Sequence, residues 1–329
     1  MKKLAFAAMA TLAVVVWGIT TSAAVIVKYN HNGNVVWSKS LNDAYYSSVT
    51  TVPDGVVAVG CLDDDFGHPR AHIIVKYNNK GNVVWEKKIN GSYSSVTTIP
   101  DGMVAIGHLY DSSVHSPIIV KHGNNGNIVW EKKINGGPYN YSFFVTTVPD
   151  GVVVAAGGNS FDGSSQSITY SGIIVKYDYK GDIVWEKKVD GGYYSSVTTI
   201  PDGVVAVGRE IIIKYDNNGN IVWEKKVDSG YYSSVTTVPG GVVATGGAII
   251  IKYDNNGNVV WEKKADSDYY YHSVTTVSDG VVAVGDGSEI MVKYGNNGNV
   301  VWEKKIDYIE LPSITTVPDG VIVVGHRLR

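Results

Sequence analysis

Residues 196–226 read SVTTIPDGVVAVGREIIIKYDNNGNIVWEKK, and that single stretch holds four short strands with their turns. Ser196 to Ile200 is a β-branched run, stopped by the turn signal Pro201-Asp202-Gly203. Val204 to Gly208 is a second apolar run and Ile211 to Tyr215 a third. Asn218-Gly219 predicts a tight type I′ hairpin, because Asn and Gly accept positive φ. Ile221 to Lys226 is the fourth strand. Four strands joined by short turns make an antiparallel meander, the unit from which a propeller blade is built.

The unit recurs seven times. Its Trp falls at Trp37, Trp85, Trp130, Trp185, Trp223, Trp261 and Trp302, and its Val-Thr-Thr core begins at Val49, Val96, Val145, Val197, Val235, Val274 and Ile314. A period of this length marks a propeller, a solenoid or an array. The ends decide between them. The repeats start at Val25 to Tyr29 and Val35 to Lys39, a third and fourth strand, and stop at Ser313 to Val317 and Val321 to Gly325, a first and second strand. Neither half buries its faces alone, whereas joined they complete a blade and leave no open edge between the ends. The expectation is an all-β, seven-bladed propeller over residues 25–329, closed by pairing N-terminal outer strands with C-terminal inner strands.

Residues 1–24 read as a signal peptide: Lys2 and Lys3, an apolar run from Leu4 to Trp17, then small residues, with cleavage after Ala23 or Ala24. The mature chain has no later segment apolar enough to span a membrane, and the protein is expected to be secreted or periplasmic. Cys61 is the only cysteine, so no intrachain disulfide forms and the core must hold the fold. The formal net charge is −3, and the Lys residues recur as Glu-Lys-Lys around the repeats rather than in one patch. That pattern argues against nucleic acid as a partner.

Ile251 to Trp261, IKYDNNGNVVW, and its counterparts resemble the blades of quinoprotein-like (PQQ-type) propellers and of bacterial secreted propeller-repeat proteins. The resemblance implies that a Gly opens the outermost strand and a Trp a few residues on docks against the neighbouring blade, as Gly219 with Trp223 and Gly257 with Trp261. The quinone enzymes of that superfamily usually have eight blades and a calcium-cofactor site, whose residues have no counterpart that we can place here. The seven Trp side chains are therefore read as packing, and no cofactor is required.

Chemistry is sought where the copies differ. The links between the second and third strands are long at Cys61 to Ala71, His108 to Ser116 and Asn159 to Ser171, and trimmed at Arg209-Glu210, Ala248 and Asp286 to Glu289. Cys61, His108 and His326 fall at equivalent positions of neighbouring blades, near Asp63, Asp65 and His68. His, Cys and carboxylates are zinc ligands, and the Asp run could instead hold calcium. The links from each fourth strand to the next blade carry tyrosines, among them Tyr46, Tyr93, Tyr194, Tyr232 and Tyr271, with His272 in the same row. A ring of Tyr at the channel mouth would suit a sugar or a peptide, while the same residues could wedge between blades as part of the repeat. The Ser-Ser and Thr-Thr runs lack a local acid-base partner, so no Ser-His-Asp triad is read from them. His31 and His122 read as surface positions at turns.

Three functions follow. The first is a binding or interaction scaffold that takes a protein or carbohydrate ligand on the looped, Tyr-rich face. The second is a metal-dependent hydrolase or lyase using the His and Asp loops of blades seven, one and two. The third is a structural component of the cell surface.

Overall fold

The computed structural model of the chain describes residues 22–63, 69–89, 91–111, 114–134, 141–162, 167–190, 193–265, 270–286 and 289–328. Each repeat forms an antiparallel sheet, and the seven sheets make a seven-bladed β-propeller. Blade one comprises Ala44–Val52, Gly55–Asp63, Pro69–Asn78 and Val83–Ile89, from the axis outward, and blades two to six follow in chain order. In blade four the second and third strands run on as one element, Gly203–Asp216, which doubles back at Arg209-Glu210 with Glu210 at φ 59°.

Blade seven joins the two ends of the repeat array. Its sheet order is Val35–Asn42, Ser22–Asn30, Gly320–Leu328, Glu310–Val317. Val25 pairs with Gly325 and Val27 with Val323, so the ring closes as the staggered ends imply. Strand pairing extends to Ser22, Ala23 and Ala24, and Ala24 is fully buried.

The hairpin between third and fourth strands differs from the expected type I′ turn. Gly219 N–H bonds to Asp216 O, Asp216 N–H bonds to Asn220 O, and only Gly219 takes positive φ, at 78°. This is a type I turn followed by a left-handed Gly. The Asp216 carboxylate accepts the amides of Asn218 and Asn220, which satisfies the loop and holds its carboxyl below the usual range. The same Gly packs on the preceding blade: a Cβ there would lie 2.7 Å from the Trp185 ring. All seven Trp Nε1 groups donate to a hairpin carbonyl of the next blade, from Trp37 to Asn79 O at 3.1 Å round to Trp302 to His31 O at 3.0 Å.

The inner edge closes by a different device. The second Thr of each Val-Thr-Thr donates to the carbonyl of the second Thr in the preceding blade: Thr98 to Thr51, Thr147 to Thr98, Thr199 to Thr147, Thr237 to Thr199, Thr276 to Thr237, Thr316 to Thr276 and Thr51 to Thr316. A hydroxyl has one proton, and here the carbonyl takes it. The first Thr of the preceding blade must therefore donate in the accompanying pairs, such as Thr50 with Thr98 at 3.1 Å and Thr97 with Thr147 at 2.9 Å. The ring of pairs is complete through Thr51 and Thr315 at 3.1 Å. Ser48, Ser95, Ser196, Ser234 and Ser273 likewise cap the backbone N–H two residues before the second Thr in the next blade. The Ser and Thr runs thus cover strand edges that would otherwise face the axis bare.

Between blades the packing is apolar. The second strand of blade five, Gly241–Gly246, is buried throughout, while its outermost strand, Val259–Lys264, is largely exposed. Six blades also hold a Lys of the third strand, buried in all but the partly buried Lys76, against the Asp of the Pro-Asp-Gly or Ser-Asp-Gly turn, each at 2.8 Å, as in Lys214 with Asp202. Blade five has Gly240 in place of that Asp, and Lys252 has no carboxylate partner among the described residues.

Candidate functional site

The tyrosines expected at the channel mouth lie inside the wall. Tyr46, Tyr93, Tyr194, Tyr232 and Tyr271 are buried between blades. Their hydroxyls are satisfied: Tyr46 by Tyr77 at 2.6 Å, Tyr194 by Tyr215 at 2.7 Å, Tyr232 by Tyr253 at 2.8 Å and Tyr271 by Tyr294 at 2.6 Å. Burial pushes the phenols of Tyr46, Tyr194 and Tyr232 well above their ordinary range. A covered ring with a bonded hydroxyl offers no stacking face, so these residues wedge blades together. Blade two shows the rule by exception. Tyr93 bonds to His122 Nε2 at 2.9 Å, and His122 Nδ1 contacts Gly126 O at 3.1 Å. A carbonyl only accepts, so the imidazole proton is on Nδ1, and burial holds His122 below the usual histidine range. His122 is thus a core residue rather than a surface one. The sequence signal was its place in the repeat, where Tyr77 and Tyr215 stand in other copies.

The metal candidates are only partly brought together. Cys61, His108 and His326 do lie at equivalent positions near the ends of the second strands of adjacent blades, paired with Tyr45, Ser92 and Glu310. Each has its own surroundings, however. His326 Nε2 meets Glu310 Oε2 at 2.6 Å, the His108 ring packs edge-on against Phe143 at 5.0 Å, and Cys61 is fully buried with its thiol against Leu62 O. Among the described residues no three His, Cys, Asp or Glu side chains group around a common point. Asp65 and His68 lie outside the described residues, and only the backbone of Asp63 is described.

The open surface is over the trimmed blades. In blades five and six the strand-preceding tyrosines alternate, with Tyr232 and Tyr271 inward and Tyr231 and Tyr270 outward, 50% and 60% exposed. Between the outward pair lies a cleft of 720 Å³, also lined by Lys264, His272 and Asp286. Its floor is the short link Gly246-Gly247-Ala248 of blade five, which among the described residues leaves both rings exposed. His272, expected as a ligand residue, lines this cleft, and its Nδ1 contacts Pro312 O at 3.0 Å, which fixes the ring proton there. Asp286 is held by its amide to Tyr270 O and by Leu311 N–H to its Oδ1 at 2.8 Å. A depression of 610 Å³ opens on the opposite face beside Pro53, Pro100, Pro149 and Tyr179, but the Tyr179 hydroxyl already donates to Val148 O. The axial channel, 490 Å³, is lined by threonines whose protons close the ring.

No curated protein sequence matches the chain. Its fold is shared with solved structures of low identity. BamB from Moraxella catarrhalis superposes with a TM-score of 0.56 at 16% identity, over 93% of this chain and 91% of that one. The Pan2 WD40 domain of Neurospora crassa gives 0.60 at 10% identity, over 86% and 89%. Sqt1 of Saccharomyces cerevisiae gives 0.55 at 9%, over 92% and 98%. These likenesses show the propeller alone. The sequence goes further: residues 22–192 and 170–316 match the model of the PQQ-type repeat family described as outer membrane protein assembly factor BamB, and the chain belongs to that family.

Proposed function

We propose that the protein is a non-catalytic binding scaffold that works outside the cytoplasm and holds a partner protein against its looped face. The observation that carries this is the cleft between the exposed rings of Tyr231 and Tyr270, on a ring whose repeated Thr and inward Tyr hydroxyls are bonded within the wall. Exposed Tyr on a rigid support is a common anchor of protein interfaces. Membership in a family described by an outer-membrane assembly factor supports the same reading, as does the apolar leader. Among the described residues no helix is long and apolar enough to cross a membrane. The metal-dependent enzyme reading finds no cluster of three metal-ligating side chains among the described residues to support it.

Site-specific photo-crosslinking in the native envelope tests the proposal. Benzoylphenylalanine placed at position 231 or 270 should give one shared protein adduct, absent when the probe is at position 84 on the outermost strand of blade one. Equal adducts from all three positions, or none from 231 and 270, would overturn it.

A further inference from the structure

Resting on the scaffold reading, we propose that the blade-five cleft takes an extended, proline-containing segment of the partner, with a basic residue beside the prolines. The floor excludes the commonest alternative for an extended chain. Tyr271 N–H already bonds to Gly247 O at 2.8 Å and Ala265 N–H to Ala248 O at 2.7 Å, and Gly246 pairs with Ile249. With that backbone engaged, no strand can be added there, and recognition must come from side chains.

The walls suit proline. Tyr231 and Tyr270 stand above a floor without bulk, where a Cβ on Gly247 would meet nothing within 4 Å. Exposed aromatic side chains lining a groove are a usual platform for proline rings. Neither hydroxyl has a partner among the described residues, so both can donate to ligand carbonyls. A polyproline II segment has no internal hydrogen bonds, presents its carbonyls outward and loses little entropy on docking.

The charges select the flanking residue. Asp286 Oδ1 is taken by the Leu311 amide, and among the described residues Oδ2 is left as a positioned acceptor. With the His272 proton on Nδ1, the neutral ring has only an acceptor left at Nε2. Arginine and lysine carry donors only, and arginine presents them as a planar fork. The chain's net charge of −3 attracts such a segment. Lys264 is the cation lining the cleft, and it opposes the basic residue. The inference therefore sets opposite signs for two neighbouring charges.

Fluorescence anisotropy of the full chain with a labelled ten-residue proline-rich peptide carrying one arginine tests this. Saturable binding is expected. Replacing the peptide's arginine by glutamate should weaken it about tenfold, and so should Tyr231→Ala or Tyr270→Ala. Asp286→Asn should weaken it severalfold and Lys264→Glu should strengthen it severalfold, with the far-ultraviolet melting curve of each variant confirming the fold. Absence of saturable binding, equal binding of the glutamate peptide, indifference to both Tyr variants, or saturable binding of chitotriose in place of the peptide would each overturn the inference. If cross-links form at 231 and 270 while the peptide fails, the scaffold reading stands and only the segment's chemistry falls.

Discussion

The axial wall and the looped face are the two ends of one design, and they use repetition oppositely. At the axis, all seven copies of Val-Thr-Thr make the same bonds, each hydroxyl reaching the neighbouring blade. On the looped face no two blades end alike, and the cleft exists where the links of blades four to six are shortest. Repeated polar residues here serve closure. The cleft side chains Tyr231 and Tyr270 are instead exposed.

The largest effect should come from breaking the axial ring. Thr199→Val and Thr276→Val each leave a carbonyl uncapped and a neighbouring Thr without its acceptor, at a cost of about 1–3 kcal/mol apiece. The sites lie in separate blades, so the double variant should lose about 2–6 kcal/mol in urea denaturation. A loss under about 0.5 kcal/mol would show the hydroxyl ring to be incidental.

Acid should find the next weakness. His72 is buried in blade one, and burial lowers its pKa from 6.5 to about 4. The unfolded chain then binds the proton more readily, so stability present above pH 6.5 is lost as pH falls towards 4. The loss from this group approaches about 3 kcal/mol, and buried His122 adds to it in the same direction. His72→Gln should flatten the profile between pH 6.5 and 4, and a profile unchanged by that substitution would place the acid sensitivity elsewhere.

A smaller change should stabilise. Thr245 Oγ1 is buried without a hydrogen-bond partner among the described residues, where Val59, Val207 and Val284 stand in other blades. Thr245→Val should add about 1 kcal/mol by removing an unsatisfied group of the same shape. The least effect on stability should come from the looped face. Tyr231→Ala should shift unfolding by no more than about 0.5 kcal/mol, because the ring is half exposed. A loss comparable to that of Thr199→Val would mean the outward tyrosines belong to the framework as well.

Blade number and ring closure were legible in the chain because both depend on local pattern. Seven Trp positions and a strand order cut at the ends leave one way to pair Ser22–Asn30 with Gly320–Leu328. The third-to-fourth-strand turn was half legible. Gly219 was identified, but the Asp216 carboxylate that satisfies the loop selected a type I turn in place of I′. The site was less legible. Adjacent tyrosines such as Tyr231 and Tyr232 look alike in sequence, and only the pleat assigns one to the core and one to water. His122 looked like a turn residue until its ring was placed under Tyr93.

The sequence by itself determined the sheet type, the sevenfold count and the closed circle, since strand periodicity and turn residues act over a few positions. Tertiary structure alone decided which hydroxyls join neighbouring blades and where two tyrosines remain uncovered. Those outcomes rest on contacts between residues some 40 positions apart, such as Thr236 with Thr276, and on loop heights in adjacent blades. Burial and hydrogen-bond partnership are properties of the assembled ring, and no single repeat contains them.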